Sequence, residues 1–159
     1  MSRILVTYFS ATGVTAKAAR AISQALEAPC YEICPVTPYT KADLNWMNPF
    51  SRSTKEMKGK QNRPPLGGEE IDLAPYDTVL LGFPIWWYVA PTLVNSFLEK
   101  YDFSGKKLIL FATSGGSDFG KTAERLAPSC PGARIIEGRV FKRKDSPDAP
   151  ALWAKGLDL

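Results

Sequence analysis

The chain opens on an apolar run, Ile4-Leu5-Val6-Thr7-Tyr8-Phe9, which leads straight into Ser10-Ala11-Thr12-Gly13-Val14-Thr15 and then into an alanine-rich amphipathic segment. A strand, a hydroxyl-rich loop and a helix, in that order, constrain the fold more than any other feature of the sequence. A helix beginning there carries positive partial charge at its start and presents free backbone N–H groups, so the loop suits an anion, above all a phosphate. The loop holds no Lys or Arg. That composition fits a phosphate monoester held by neutral donors rather than a triphosphate clamped by a lysine and magnesium.

The alternation of strand and helix continues and predicts an α/β domain with a parallel sheet. Strands are expected over about 3–9, 30–34, 78–83, 108–113 and 134–141. Thr78–Phe83 is almost wholly apolar, as a central strand covered on both faces should be. The first helix is expected over Val14–Glu27, with Val14, Ala18, Ala21, Ile22, Ala25 and Leu26 on one face. Pro91 can open a second helix carrying Leu93, Val94, Phe97, Leu98 and Tyr101. Further helices are expected over about 118–127 and from Ser146 as cap and Pro147 as first residue to Gly156. Residues 37–71 show no clear period and hold Trp46, Met47 and Phe50 among charges. They read as an irregular insert, either a functional excursion or a lid packing on its own aromatics.

Composition narrows the function. The 159 residues fit one domain, here read as 1–159 with the insert inside it. No apolar run approaches membrane-spanning length, and the N-terminal stretch reads as a core strand rather than a signal peptide, so a cytoplasmic protein without membrane partners is expected. There is no histidine, which removes Ser-His and Cys-His nucleophile systems and most zinc sites. Cys30, Cys34 and Cys130 lack metal spacing and read as buried reduced thiols. The net charge of +4 raises nucleic-acid binding. The basic residues are scattered, however, and Lys142-Arg143-Lys144 is short, so a solvated surface is the better reading, with an acidic partner or anionic substrate left open.

In a doubly wound parallel sheet, ligands bind beyond the carboxyl ends of the strands, where the strand order reverses. Three loops leave such ends. In the first, Ser10, Thr12 and Thr15 offer hydroxyls and Gly13 permits close approach; a simple helix cap would use one hydroxyl, not three. In the second, Pro84-Ile85-Trp86-Trp87-Tyr88 puts large flat side chains at the ligand edge, as a platform for a planar ring or as a surface cluster. In the third, Ser114-Gly115-Gly116-Ser117 lets a ligand lie near backbone N–H groups, or is an ordinary turn. Together they describe a phosphorylated planar heterocycle, a description FMN meets.

These motifs resemble the flavodoxin-like flavoproteins over nearly the whole chain. The resemblance is carried by Tyr8–Thr15, by Pro84–Tyr88 with Ala90-Pro91, and by Ser114-Gly115-Gly116. The segment Asp43–Arg52 is similar to a bacterial subgroup known as flavodoxins or NADPH-dependent flavin oxidoreductases. The resemblance implies a three-layer, doubly wound, five-stranded parallel sheet of order 2-1-3-4-5, with FMN as cofactor. It places Ser10, Thr12, Gly13, Val14 and Thr15 at the phosphate, Pro84, Ile85, Trp86 and Trp87 along the isoalloxazine, and Ser114, Gly115 and Gly116 at its pyrimidine side.

Two departures stand out. Flavodoxins proper are strongly acidic and this chain is basic. The loop from Phe83 to Pro91 also holds no Gly, where many flavodoxins keep one beside the reactive ring nitrogen. A peptide flip there would drive a non-Gly residue into a costly region, so chemistry leaning toward two-electron transfer is expected. The leading reading is an electron carrier working through bound FMN between protein partners, with no acid–base residue required. The alternative is an NAD(P)H-dependent oxidoreductase acting on quinones or similar small acceptors. In that case Trp46 and Phe50 would roof the flavin, and Arg52 or Lys55 would meet a nucleotide phosphate. A flavin-free receiver module is disfavoured because Ser10-Ala11-Thr12 and Phe83-Pro84 stand where it needs acidic residues.

Overall fold

The computed structural model describes residues 3–59 and 61–159. Lys60, inside the 37–71 segment, lies outside them. The chain runs β1 (Ile4–Tyr8), α1 (Val14–Leu26), β2 (Cys30–Glu32), β3 (Cys34–Pro35), α2 (Arg52–Lys58), β4 (Leu66–Gly67), β5 (Thr78–Pro84), α3 (Thr92–Lys100), β6 (Lys107–Ser114), α4 (Thr122–Leu126), β7 (Arg134–Lys142) and α5 (Ala149–Lys155). The main sheet has five strands in the order β2-β1-β5-β6-β7, paired in parallel throughout. Leaving out the small β3–β4 pair, this is the expected 2-1-3-4-5 order.

The alternation of side chains along each central strand builds two cores. Val79, Leu81 and Phe83 of β5 join Leu108, Leu110 and Ala112 of β6 beneath Leu93, Val94, Phe97 and Leu98 of α3. Leu80, Ile109 and Phe111 face the other way, onto Ala16, Ala19 and Ile22 of α1 and Ala149 and Ala154 of α5. Phe97 and Phe111 are fully buried, each worth roughly 1.5–3 kcal/mol in transfer free energy. The order reverses between β1 and β5, and that switch point fixes where the site forms.

Several sequence expectations need correction. The strand expected over Cys30–Cys34 divides at Ile33: β2 pairs with β1, whereas β3 pairs antiparallel with β4. Cys30 is therefore exposed and Cys34 half-buried, and only Cys130 is a buried thiol. The helix expected from Asp118 begins at Thr122, because Gly120 takes φ +57 and turns the chain first. The last helix begins at Ala149 rather than Pro147: the Ala149 N–H bonds to Ser146 O at 3.0 Å in a turn that precedes it. The 37–71 segment is not wholly irregular, since it contains α2 and β4. No helix among the described residues is long and apolar enough to cross a membrane.

Candidate functional site

The loop after β1 is organised by one serine. Ser10 Oγ accepts from Gly13 N at 3.0 Å and from Ala16 N at 3.1 Å, which folds the chain back onto the start of α1. Its hydroxyl hydrogen remains available to donate. Gly13, at φ +95, is the N-cap of α1, a backbone state that L side chains resist by about 1–2 kcal/mol. The N–H groups of Thr12, Val14 and Thr15 meet no acceptor among the described residues. They present an anion-binding nest at the positive end of a 13-residue helix. Thr12 is exposed at the loop's crest. Thr15 behaves otherwise: its side chain is buried and its hydroxyl lies 2.7 Å from Thr113 Oγ1 at the end of β6. It braces the loop against the sheet and offers a ligand only its backbone N–H.

The loop after β5 is a tight hairpin. Trp86 N donates to Val89 O at 2.9 Å and Val89 N donates to Trp86 O at 3.2 Å. The two residues between them, Trp87 at φ 50 and Tyr88 at φ 66, both sit in the left-handed region. Such turns normally take Asn-Gly or Asp-Gly. The missing glycine therefore does not keep this loop out of the costly region, because two aromatic residues already occupy it. What holds them is contact. Gly120, itself left-handed, lies so close that a Cβ there would stand 2.3 Å from Tyr88 O. Ile85 N also bonds to Thr113 O at 3.0 Å. The three aromatics then separate. Trp86 turns inward, edge-on to Phe9 at 5.9 Å and to Tyr39 at 5.5 Å, while Trp87 and Tyr88 remain exposed.

In the third loop Ser114 Oγ accepts from Ser117 N at 2.9 Å and Gly116 N at 3.3 Å, and it sits 2.8 Å from Ser117 Oγ. Two of the N–H groups expected to face a ligand are thus turned inward, leaving that of Gly115 without an acceptor among the described residues.

The 37–71 segment supplies a roof. Ser51 caps α2, and Ser53 N bonds to Asp43 O at 2.9 Å, which ties α2 to the loop ahead of it. Glu56 is buried. It accepts from the Tyr39 hydroxyl at 2.5 Å and from Arg52 Nε at 3.0 Å. The Arg52 guanidinium lies 3.9 Å from the Tyr39 ring centre and donates to Thr37 O at 2.7 Å. Burial and the Glu56 carboxylate push the Tyr39 phenol far above its ordinary value, so it stays a donor at any physiological pH. Arg52, one of the two residues the sequence offered to a nucleotide phosphate, is held within the roof by Glu56, Tyr39 and Thr37 O. Lys55 is exposed.

Loops and roof enclose a cavity of about 630 Å³, within the range of cofactor sites. Of the sequence-predicted residues, Thr12, Pro84, Ile85, Trp86, Trp87, Ser114, Gly115 and Gly116 line it. Ser10, Gly13, Val14 and Thr15 do not, and act from the loop and helix start beside it. The sequence missed Ala11, Leu44, Ser53, Tyr88 and Ser117 as lining residues. Ala11, Tyr88 and Ser117 sit inside motifs already singled out, whereas Leu44 and Ser53 have no local signature, because only the folded insert brings them over the site. Among the described residues, no Asp, Glu, Lys or Arg lines the cavity. It can hold, orient and desolvate a planar group.

Comparisons with known proteins agree with this geometry. The profile of the Flavodoxin family matches residues 3–157. A structure of a candidate flavoprotein from Bacteroides eggerthii is 43% identical, covers 96% of both chains and superposes with a TM-score of 0.87. A second candidate flavoprotein, from Bacteroides uniformis, is 43% identical, covers 97% of this chain and 98% of its own, and gives 0.89. A Lactobacillus acidophilus flavoprotein solved in complex with FMN shares the fold at 19% identity, covering 88% of this chain and 93% of its own, with a TM-score of 0.68. No protein with a curated description matches the chain. The sheet order, the helix-start nest and the family profile together make the chain a member of the Flavodoxin family.

Proposed function

We propose that the protein binds FMN in this cavity and carries electrons between protein partners. The observation that carries the reading is the junction of two parts: an uncharged, aromatic-walled cavity meets the free N–H groups that begin α1. A phosphate fits the nest, where Ser10 and Thr12 donate hydroxyl bonds and Val14 and Thr15 donate backbone N–H groups. Pro84, Ile85, Trp86 and Trp87 bound the ring plane, and the small Ser114-Gly115-Gly116 turn lets the ring's polar edge approach backbone. Leu44 and Trp46 would cover the ring from above. Bound FMN supplies the redox chemistry; the chain supplies binding, orientation and a dry surrounding. FMN in complex with a flavoprotein of the same fold supports the choice of ligand.

The roof favours a second reading, an NAD(P)H-dependent oxidoreductase for quinones or similar small acceptors. Leu44, Trp46 and Ser53 of the insert line the cavity beside the three loops, a cover suited to a small planar acceptor. The experiment is direct. Purified protein is reconstituted with FMN and mixed with NADPH and a quinone, with and without a separate flavodoxin reductase. The carrier reading expects turnover only with the reductase. Sustained NADPH oxidation without it establishes the oxidoreductase.

A further inference from the structure

The crest of the insert, just ahead of α2, carries large apolar side chains in solvent: Trp46 is 67% exposed, Met47 75% and Phe50 77%. Trp46 lines the cofactor cavity, but Met47 and Phe50 do not. The crest is closely folded. Asn45 Oδ1 accepts from Met47 N at 3.2 Å, and Asn48 Oδ1 accepts from Phe50 N at 2.9 Å. Asn48 N donates to Asn45 O, and Ser51 N to Asn48 O, each at 3.1 Å. Pro49 has no N–H, so from Met47 to Ser51 every backbone donor is answered within the crest. Such a segment can leave water without orphaning an N–H group. The chain on either side is cationic. Lys41, Lys55 and Lys58 are exposed and have no ion-pair partner among the described residues. The carboxylates over 37–58 are Asp43 and Glu56, and both are committed to Arg52. Lys55 and Lys58 follow Ser51 along α2 by about 6 and about 10 Å, within roughly one screening length of the crest.

We propose that this crest docks on an anionic phospholipid surface, with Met47 and Phe50 entering the boundary between headgroups and acyl chains and Lys41, Lys55 and Lys58 meeting lipid phosphates. Apolar side chains at a protruding tip, flanked by unpaired cations and by no free carboxylate, complement such a surface in both polarity and charge. A second copy of the chain fits less well. It would set the same lysines against one another, and Met47 and Phe50 together offer only on the order of 300 Å², against the roughly 800 Å² per partner of a stable interface. No helix among the described residues can cross a membrane, and a contact of this depth needs none. Docking there would set the cavity, which the neighbouring Trp46 lines, beside the bilayer. The inference does not depend on which cofactor the cavity holds.

The test is sedimentation of the purified full chain, with and without added FMN, on vesicles of phosphatidylcholine alone or with about 30 mol% phosphatidylglycerol. The proposal expects partitioning about tenfold or more stronger onto the anionic vesicles, weakening as salt rises. Met47→Ser and Phe50→Ser should each weaken it about tenfold, whereas Phe50→Leu should keep it. Lys41→Gln combined with Lys58→Gln should cut the preference for anionic vesicles by about tenfold. Both apolar positions are exposed and outside the cofactor cavity, so the serine variants should fold and bind flavin as the wild type does. Absence of vesicle binding, equal binding to both compositions, or binding that survives both serine substitutions overturns the proposal. So does a concentration-dependent dimer, seen by light scattering without vesicles and lost in Phe50→Ser, since the crest would then be an interface between copies. A failure of flavin binding in the wild-type protein would count against the cofactor assignment alone.

Discussion

At the scale of single residues, the site stores its strain in the hairpin at Trp87 and Tyr88. Two side-chain-bearing residues in left-handed backbone cost about 1–2 kcal/mol each, and the turn persists because Gly120 and Val89 hold it. Tyr88→Gly should therefore stabilise the fold by about 1 kcal/mol in urea denaturation, an unusual sign for truncating a large aromatic. An unchanged or lowered midpoint would show that the Tyr88 ring contributes more than its backbone costs. Gly120→Ala should do the opposite. Its Cβ would press on the Tyr88 carbonyl and displace the turn from the cavity, so cofactor affinity should fall along with stability, read by flavin fluorescence titration. Gly13→Ala should cost about 1–2 kcal/mol for the same backbone reason. Nothing lies within 4 Å of its Cβ position, so the loss would come from φ alone.

At the scale of elements, much of the fold was legible. β1, β5 and β6 and helices α1 and α3 announce themselves, because burial on both faces leaves apolar runs and burial on one face leaves a helical stripe; β7, an edge strand, is placed without such a run. The elements that could not be read are those whose order comes from elsewhere in the chain. The seven residues of α2 are too few to hold a helix by propensity alone. Their order rests on Glu56, which joins Tyr39, seventeen positions earlier, to Arg52 on its own helix. Likewise α4 starts late because Gly120 serves Tyr88 in another loop. At the site, the convergence of the three loops on one end of the sheet was legible, and residues of all three line one cavity. The inward use of the Thr15 hydroxyl and of the Gly116 N–H was not, since both depend on partners that only the fold supplies.

The same network sets an element-scale prediction. Tyr39 packs against Trp86, so loosening the roof should be felt at the cavity. Tyr39→Phe keeps the ring and removes the bond to Glu56. It should cost about 1–3 kcal/mol through the carboxylate left short of a donor and weaken flavin binding more modestly. Arg52→Ala removes the ion-pair partner of that buried carboxylate, and its thermal midpoint should fall further than that of Arg52→Lys. Equal midpoints would mean that the roof is held by packing alone.

At the scale of the molecule, the net charge of +4 sits on a fold whose cavity has no charged lining residue among those described. Charge then governs which partners approach rather than what the site does once they arrive. Reduction of the holoprotein by an anionic donor should slow as salt rises, and reduction by a cationic donor should quicken, over the range where the screening length falls from about 30 to about 8 Å. The opposite ordering would place a local acidic field at the flavin edge.

The central claim is that an uncharged nest at the start of α1 and the neighbouring aromatic cavity together bind FMN. Parallel titration of the apoprotein with FMN and riboflavin, following quenching of flavin fluorescence, tests both halves at once. The account predicts that FMN binds with quenching by Trp86 and Trp87, that riboflavin binds at least tenfold more weakly for want of the phosphate, and that Ser10→Ala narrows the gap by weakening FMN alone. Equal affinity for the two flavins, or no quenching by either, would contradict it.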